Sequence, residues 1–287
     1  MNKLAKTCFL IVLATVLKSH AQSVEDLSKA VVFLRHDFIE TSSNENGTYE
    51  VWLKLPNTNS FIPKLSSVCG TGFLIAWSND LFLVTARHVA YQMSFSDRDL
   101  IIIGAEGGKS FPIPLPMLRG ANTNSWLHHI GADVSVLPLD PPPQLYQTLL
   151  ARHFLNSSFL EAGTNRPRRD LVLTIVGFPL GMGWGQNGDD FIPFVRKTRA
   201  ASGFIDSGNA FVLEDPSVQG YSGSPVLDLV EPISGSSGTT FESRPMACYG
   251  VVSGTLGDDT GGKMAVVIST KCVVELIDDY EKSIHKH

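Results

Sequence analysis

The chain has 287 residues, 43% of them hydrophobic, and a net charge of −5. It is long and apolar enough to fold around a sizeable core, which excludes disorder as the default state. A pI near 5.9 and the lack of any long Lys/Arg run leave no basic field for a phosphate backbone, so nucleic acid is not an expected partner.

At the N-terminus, Lys3 and Lys6 precede an apolar run from Cys8 to Leu17, and Ser19 and Ala21 place small residues at the −3 and −1 positions of a cleavage site. This is the layout of a secretory signal peptide, residues 1–21, with cleavage after Ala21 and a secreted or periplasmic product. The run is too short for the roughly 20 apolar residues that a spanning helix needs, so no stable membrane insertion is expected. Three cysteines remain after cleavage, Cys69, Cys248 and Cys272. An odd number leaves at least one without a partner in the chain. Cys248 and Cys272 flank a hairpin and either pair or sit as small buried apolar residues. Asn46 and Asn156 head glycosylation acceptor triplets.

Short β-rich runs bounded by Gly, Pro, Asn and Asp follow one another: Ala30 to Leu34, Tyr49 to Leu55, Gly72 to Ala76, Leu81 to Thr85, Leu100 to Gly104 and Val134 to Leu137. In the second half come Leu171 to Gly177, Ala210 to Leu213, Pro225 to Leu229, Cys248 to Ser253 and Met264 to Ser269. This many short strands with frequent turn signals predict an all-β barrel or sandwich. Tyr49 to Leu55 alternates polar and apolar residues, as a half-exposed antiparallel strand should. The stretch opening Leu139-Asp140-Pro141-Pro142-Pro143 and containing Arg166-Pro167-Arg168-Arg169 reads as a connector, with a short helix from Leu145 to Phe154 inside it. Ser234 to Gly238 has the composition of a flexible loop tip. Gly257 to Gly262 reads as a hairpin loop, because its two adjacent carboxylates are too few for a calcium site. At the end, Val273, Leu276, Ile277, Tyr280 and Ile284 recur on one helical face.

Gly220-Tyr221-Ser222-Gly223-Ser224-Pro225 is the densest chemical signal, a serine in a glycine-lined turn. A serine hydroxyl is a weak nucleophile until a base takes its proton, a third group orients that base, and donors receive the oxyanion. His88 follows the apolar run Leu81 to Val84 and so stands at a strand end. Asp133 opens the apolar run that begins at Val134. Chain order is His, Asp, Ser, whereas α/β-hydrolases run Ser–Asp–His and subtilisins Asp–His–Ser. After Ser222 only His285 and His287 remain, and a G-x-S-x-G elbow would need glycine where Ser224 stands. Adjacent His128 and His129, with Asp133 nearby, make a poor metal set, since neighbours on a strand face opposite ways. No metal and no cofactor are expected.

Cys69-Gly70-Thr71-Gly72-Phe73-Leu74-Ile75, Thr85-Ala86-Arg87-His88, Ala132-Asp133-Val134, Val176-Gly177-Phe178-Pro179 and the Gly220 to Pro225 turn occur in the order and approximate spacing of trypsin-like serine proteases. The chain resembles the bacterial HtrA-like branch, from about Ala30 to the C-terminal helix. The resemblance implies an all-β fold of two antiparallel six-stranded β-barrels of chymotrypsin type with a C-terminal α-helix. Residues 22–287 would form the protease unit: 22–150 the first barrel, 151–170 a connector, 171–269 the second barrel and 270–287 the helix. It implies catalytic His88, Asp133 and Ser222, an oxyanion hole from the backbone N–H groups of Gly220 and Ser222, and a polypeptide substrate.

Departures from the family pattern sharpen the expectation. Tyr221 replaces the aspartate that pairs with a new N-terminus in digestive members, so activation by N-terminal insertion is not expected. Val89 occupies the position of the disulfide partner of Cys69. Pro216 stands where trypsin has its pocket aspartate, and Val252, Ser253 and Gly254 fall on the strand flanking the specificity pocket. Small or medium uncharged side chains before the scissile bond are therefore expected. Only about 18 residues follow Ser269, short of the 50 or more of a typical domain, so a peptide-gating domain is not expected. The alternatives are a catalytically silent trypsin-like module that binds protein or peptide in its cleft, and an acyl hydrolase acting on esters.

Overall fold

The computed structural model describes residues 27–284 apart from 46, 57, 79, 94, 104–109, 120–124, 151–153, 166, 170, 184–191, 204, 206–208, 230–245 and 258. The signal peptide, Asn46 and the Ser234 to Gly238 loop tip lie outside the described residues.

β1 (Val31–Ile39) leads into two small hairpins, β2 (Thr41–Asn44) with β3 (Gly47–Glu50) and β4 (Trp52–Lys54) with β5 (Phe61–Pro63). The long β6 (Leu65–Trp77) then returns antiparallel to β1. The alternating stretch Tyr49 to Leu55 is thus divided between β3 and β4. The N–H of Val51 donates to the carbonyl of Glu40 at 2.8 Å, which bends the chain between the two hairpins. Next come β7 (Asp80–Thr85), α1 (Arg87–Gln92), β8 (Asp99–Ile103), β9 (Phe111–Pro114), β10 (Leu127–His128), β11 (Ser135–Leu139), α2 (Pro143–Leu150) and β12 (Leu155–Asn156). The first sheet has the order β10-β11-β7-β6-β1-β8-β9, with β12 parallel to β6. That is eight strands where six were expected, and the β framework of the molecule includes a half-barrel sheet.

The stretch 151–170, expected as a connector, carries β12 and α3 (Ser157–Gly163). Asn156 caps α3 by accepting the Phe159 N–H on its side-chain oxygen at 3.2 Å, which satisfies one orphan donor of the first turn. The chain continues as β13 (Val172–Gly177), β14 (Phe194–Arg199), β15 (Ala210–Leu213), β16 (Pro225–Asp228), β17 (Ala247–Gly257), β18 (Lys263–Ser269) and α4 (Thr270–Ile284). The second sheet runs β14-β13-β16-β17-β18-β15. β14 is a strand that the sequence pattern does not announce, because its residues FVRKTR are largely exposed and charged, as suits an edge strand. The molecule is mostly β with a C-terminal helix.

Period-two alternation places the core on both faces of the strands. On β7, Leu81 and Leu83 turn into the first sheet's own core with Leu34, Leu74 and Ile101. Phe82 and Val84 point the other way, into a cluster shared by both sheets and α4 that includes Phe73, Val176, Leu227, Val251, Cys272, Val273 and Ile277. A third cluster fills the second sheet around Leu173, Phe211, Val226, Val252 and Val267. Cys69, Cys248 and Cys272 are all free, so the Cys248–Cys272 alternative resolves to buried apolar thiols. Among the described residues no helix is long and apolar enough to cross a membrane.

Candidate active site at the junction of the two sheets

The apolar run of β7 ends at Thr85, and α1 starts two residues later with His88 in its first turn. Asp133 sits in the loop just before β11, which pairs with β7 through Ser135 opposite Thr85. That pairing brings residues 45 positions apart into contact. The His88 ring Nδ1 lies 2.7 Å from Asp133 Oδ2, and the His88 backbone N–H donates to Oδ1 at 2.9 Å. A carboxylate at Nδ1 fixes the proton there and leaves the Nε2 lone pair as a base. The His88 side chain is 51% exposed, so that base faces solvent.

Ser253, expected beside the specificity pocket, also supports the His88–Asp133 pair, because its hydroxyl donates to Asp133 Oδ2 at 2.6 Å. Burial alone would push the Asp133 carboxyl up. The hydrogen bonds from His88 and Ser253 outweigh it and hold the group at about 2. The folded value lies below the ordinary 3.8, so the ion contributes stability that is complete above the unfolded value and lost as pH falls through about 4 to 2. We expect wild type to exceed Asp133→Asn by about 1–2 kcal/mol near neutral pH, with the gap closing at about pH 2. Urea denaturation of both proteins across that range checks it.

Ser222 is fixed by its turn. Gly220 and Gly223 adopt φ of +94° and +91°, a region open to glycine and strained for other residues. The chain around them is bonded to both sheets. Thr71 of β6 donates its N–H to Ser222 O at 2.8 Å and its hydroxyl to Gly220 O at 2.7 Å. Gly223 N–H donates to Val252 O at 2.7 Å. Thr71 lies within the Cys69 to Ile75 block, but the sequence alone does not reveal it as the stitch between sheets. The only trace is a lone hydroxyl between two glycines in an apolar strand. Among the described residues, the N–H groups of Gly220 and Ser222 have no acceptor.

Ser222 and His88 are not joined directly. Ser222 Oγ donates to the carbonyl of Ser253 at 3.1 Å, and among the described residues no hydrogen bond links it to His88. Tyr221 is buried, and desolvation pushes its phenol up despite the charge of Arg196, so it is a neutral packing residue.

The specificity residues separate. Val252 is wholly buried in the second sheet's core, so its expected place in a pocket wall gives way to packing. Pro216 is half-buried and offers its carbonyl to Arg196 Nη1 at 2.9 Å. Arg196 Nη2 also pairs with Asp215 at 3.2 Å. Gly254 has nothing within 4 Å of where a Cβ would stand. His128 and His129 diverge as expected, to Ser135 and to Glu275. No family model matches the chain, and no curated protein matches it.

Proposed function

We propose that the protein is a secreted or periplasmic serine endopeptidase of trypsin-like type, built as two barrel units with the site between them. The observation that carries this reading is the His88–Asp133 pair, a half-exposed imidazole bonded through Nδ1 to a carboxylate that the His88 backbone N–H also holds, beside a serine turn with two unengaged N–H groups. His88 takes the Ser222 proton as Oγ attacks the carbonyl carbon and returns it to the leaving amine. Asp133 stabilises the imidazolium, and the Gly220 and Ser222 N–H groups receive the oxyanion. Water then hydrolyses the acyl-enzyme by the same route. Pro216 stands where an acidic residue would select Lys or Arg, and Ser253 and Gly254 are small, so the preferred side chain before the scissile bond is small or medium and uncharged.

The Ser222 bond to Ser253 O favours one second reading, a silent module that binds a peptide in the cleft. A fluorophosphonate probe separates the two. Stoichiometric labelling of wild type, lost in Ser222→Ala, is expected of the peptidase. A correctly folded wild-type protein that takes up no probe sinks that reading.

A further inference from the structure

His129, Cys272 and Glu275 form a cluster that the proposed peptidase chemistry does not use. Cys272 and Glu275 lie one helical turn apart on α4, and His129 reaches them from the loop between β10 and β11. One ligand atom from each lies within 4.8 Å of the others. His129 Nε2 stands 3.1 Å from Glu275 Oε2. Cys272 is wholly buried, and the Glu275 side chain is 46% exposed, so the cluster runs from the core to the surface.

We propose that these three side chains bind one divalent cation of the zinc class, with water in the fourth position. A thiolate, an imidazole and a carboxylate together suit zinc, whereas magnesium and calcium take oxygen sets. Tetrahedral zinc with bonds of 2.0–2.3 Å separates its ligand atoms by about 3.3–3.8 Å. Binding therefore requires a rotamer change of the half-exposed Glu275 to bring the cluster to that size. The other Glu275 oxygen, Oε1, is 3.6 Å from Lys271 Nζ in the metal-free protein.

The protons balance. The Cys272 S–H bond breaks, a sulfur–metal bond forms, and the proton goes to solvent. At His129 the Gly131 N–H donates to Nδ1 at 3.2 Å, so Nε2 carries the ring proton in the metal-free protein. Binding moves that proton to Nδ1 and turns the Gly131 N–H to water, which its exposed position allows.

The location gives the cation a role. The His129 N–H donates to Val134 O at 3.1 Å, across the loop that carries Asp133, and Arg87 Nη1 donates to His129 O at 2.8 Å. A metal here ties α4 to the loop that presents Asp133 and to the residue before His88. Holding the loop is a positioning effect.

Cobalt(II) added to the full mature chain under reducing, non-coordinating conditions tests this without reference to peptidase activity. One equivalent is expected to bring up the thiolate-to-cobalt charge-transfer band and the visible bands of four-coordinate cobalt, and zinc should displace both. Affinity should fall about 100-fold or more in each of Cys272→Ala, His129→Gln and Glu275→Gln. The His129 and Glu275 variants serve even if the wholly buried Cys272 variant does not fold. Zinc at about 100 times its dissociation constant should also raise the melting temperature by about 5 °C in wild type and not in Glu275→Gln. Absence of the charge-transfer band, or a band of unchanged affinity in any of the three variants, overturns the site. Failure of fluorophosphonate labelling would leave it untouched.

Discussion

In the proposed peptidase, replacing His88 by alanine should lower peptide turnover by about a million-fold while leaving the protein folded and less stable by only about 1 kcal/mol. Both halves come from the same geometry. The imidazole is half in solvent, so little packing is lost with it. Asp133 keeps the bond from the Ser253 hydroxyl and the bond from the backbone N–H at position 88, so its carboxylate is not stranded. Only the proton acceptor disappears, and the serine hydroxyl then has no base. Asp133→Asn should cost about 10,000-fold, because an amide at Nδ1 favours the wrong tautomer. A fluorogenic peptide with a small uncharged residue before the scissile bond, assayed beside circular dichroism and urea curves, reads both effects. Retention of turnover in His88→Ala would remove this residue from the chemistry.

The parts of the site that sequence made legible are those fixed by local pattern. An apolar β run ending at Thr85 puts His88 at a strand end whatever else the fold does, and positive-φ glycines around Ser222 follow from the Gly-x-x-Gly spacing. The parts it hid depend on partners far along the chain. That Ser253 would turn to Asp133, 120 residues earlier, requires the packing of one sheet against the other. The same holds for Thr71, whose hydroxyl acts 149 residues away. Alternation in Tyr49 to Leu55 reported the faces of an extended chain but not its neighbours, so one expected strand became parts of two hairpins. Val252 misled for a related reason. A residue next to Ser253 on a strand takes the opposite face, and here that face is core.

Gly223→Ala should be the most damaging single methyl group in the molecule's active region. A Cβ there would lie 1.9 Å from Thr71 O and 2.3 Å from Thr85 Oγ1, on a residue whose φ is +91°. Neither neighbour can give way cheaply. Thr85 Oγ1 donates to that same Thr71 carbonyl at 2.7 Å, and the Thr71 N–H holds Ser222 O at 2.8 Å. Relief therefore means separating the serine turn from β6 and breaking buried bonds at the junction of the sheets. A loss of about 4 kcal/mol or more is expected, a large share of the roughly 5–15 kcal/mol that typically holds a domain together. Gly254→Ala supplies the control: with nothing within 4 Å of the added carbon, it should stay within about 0.5 kcal/mol of wild type. Urea midpoints of the two variants decide the matter. If Gly223→Ala proved as stable as Gly254→Ala, the turn could not be packed against Thr71, and the placement of Ser222 beside His88 and Asp133 would lose its mechanical basis.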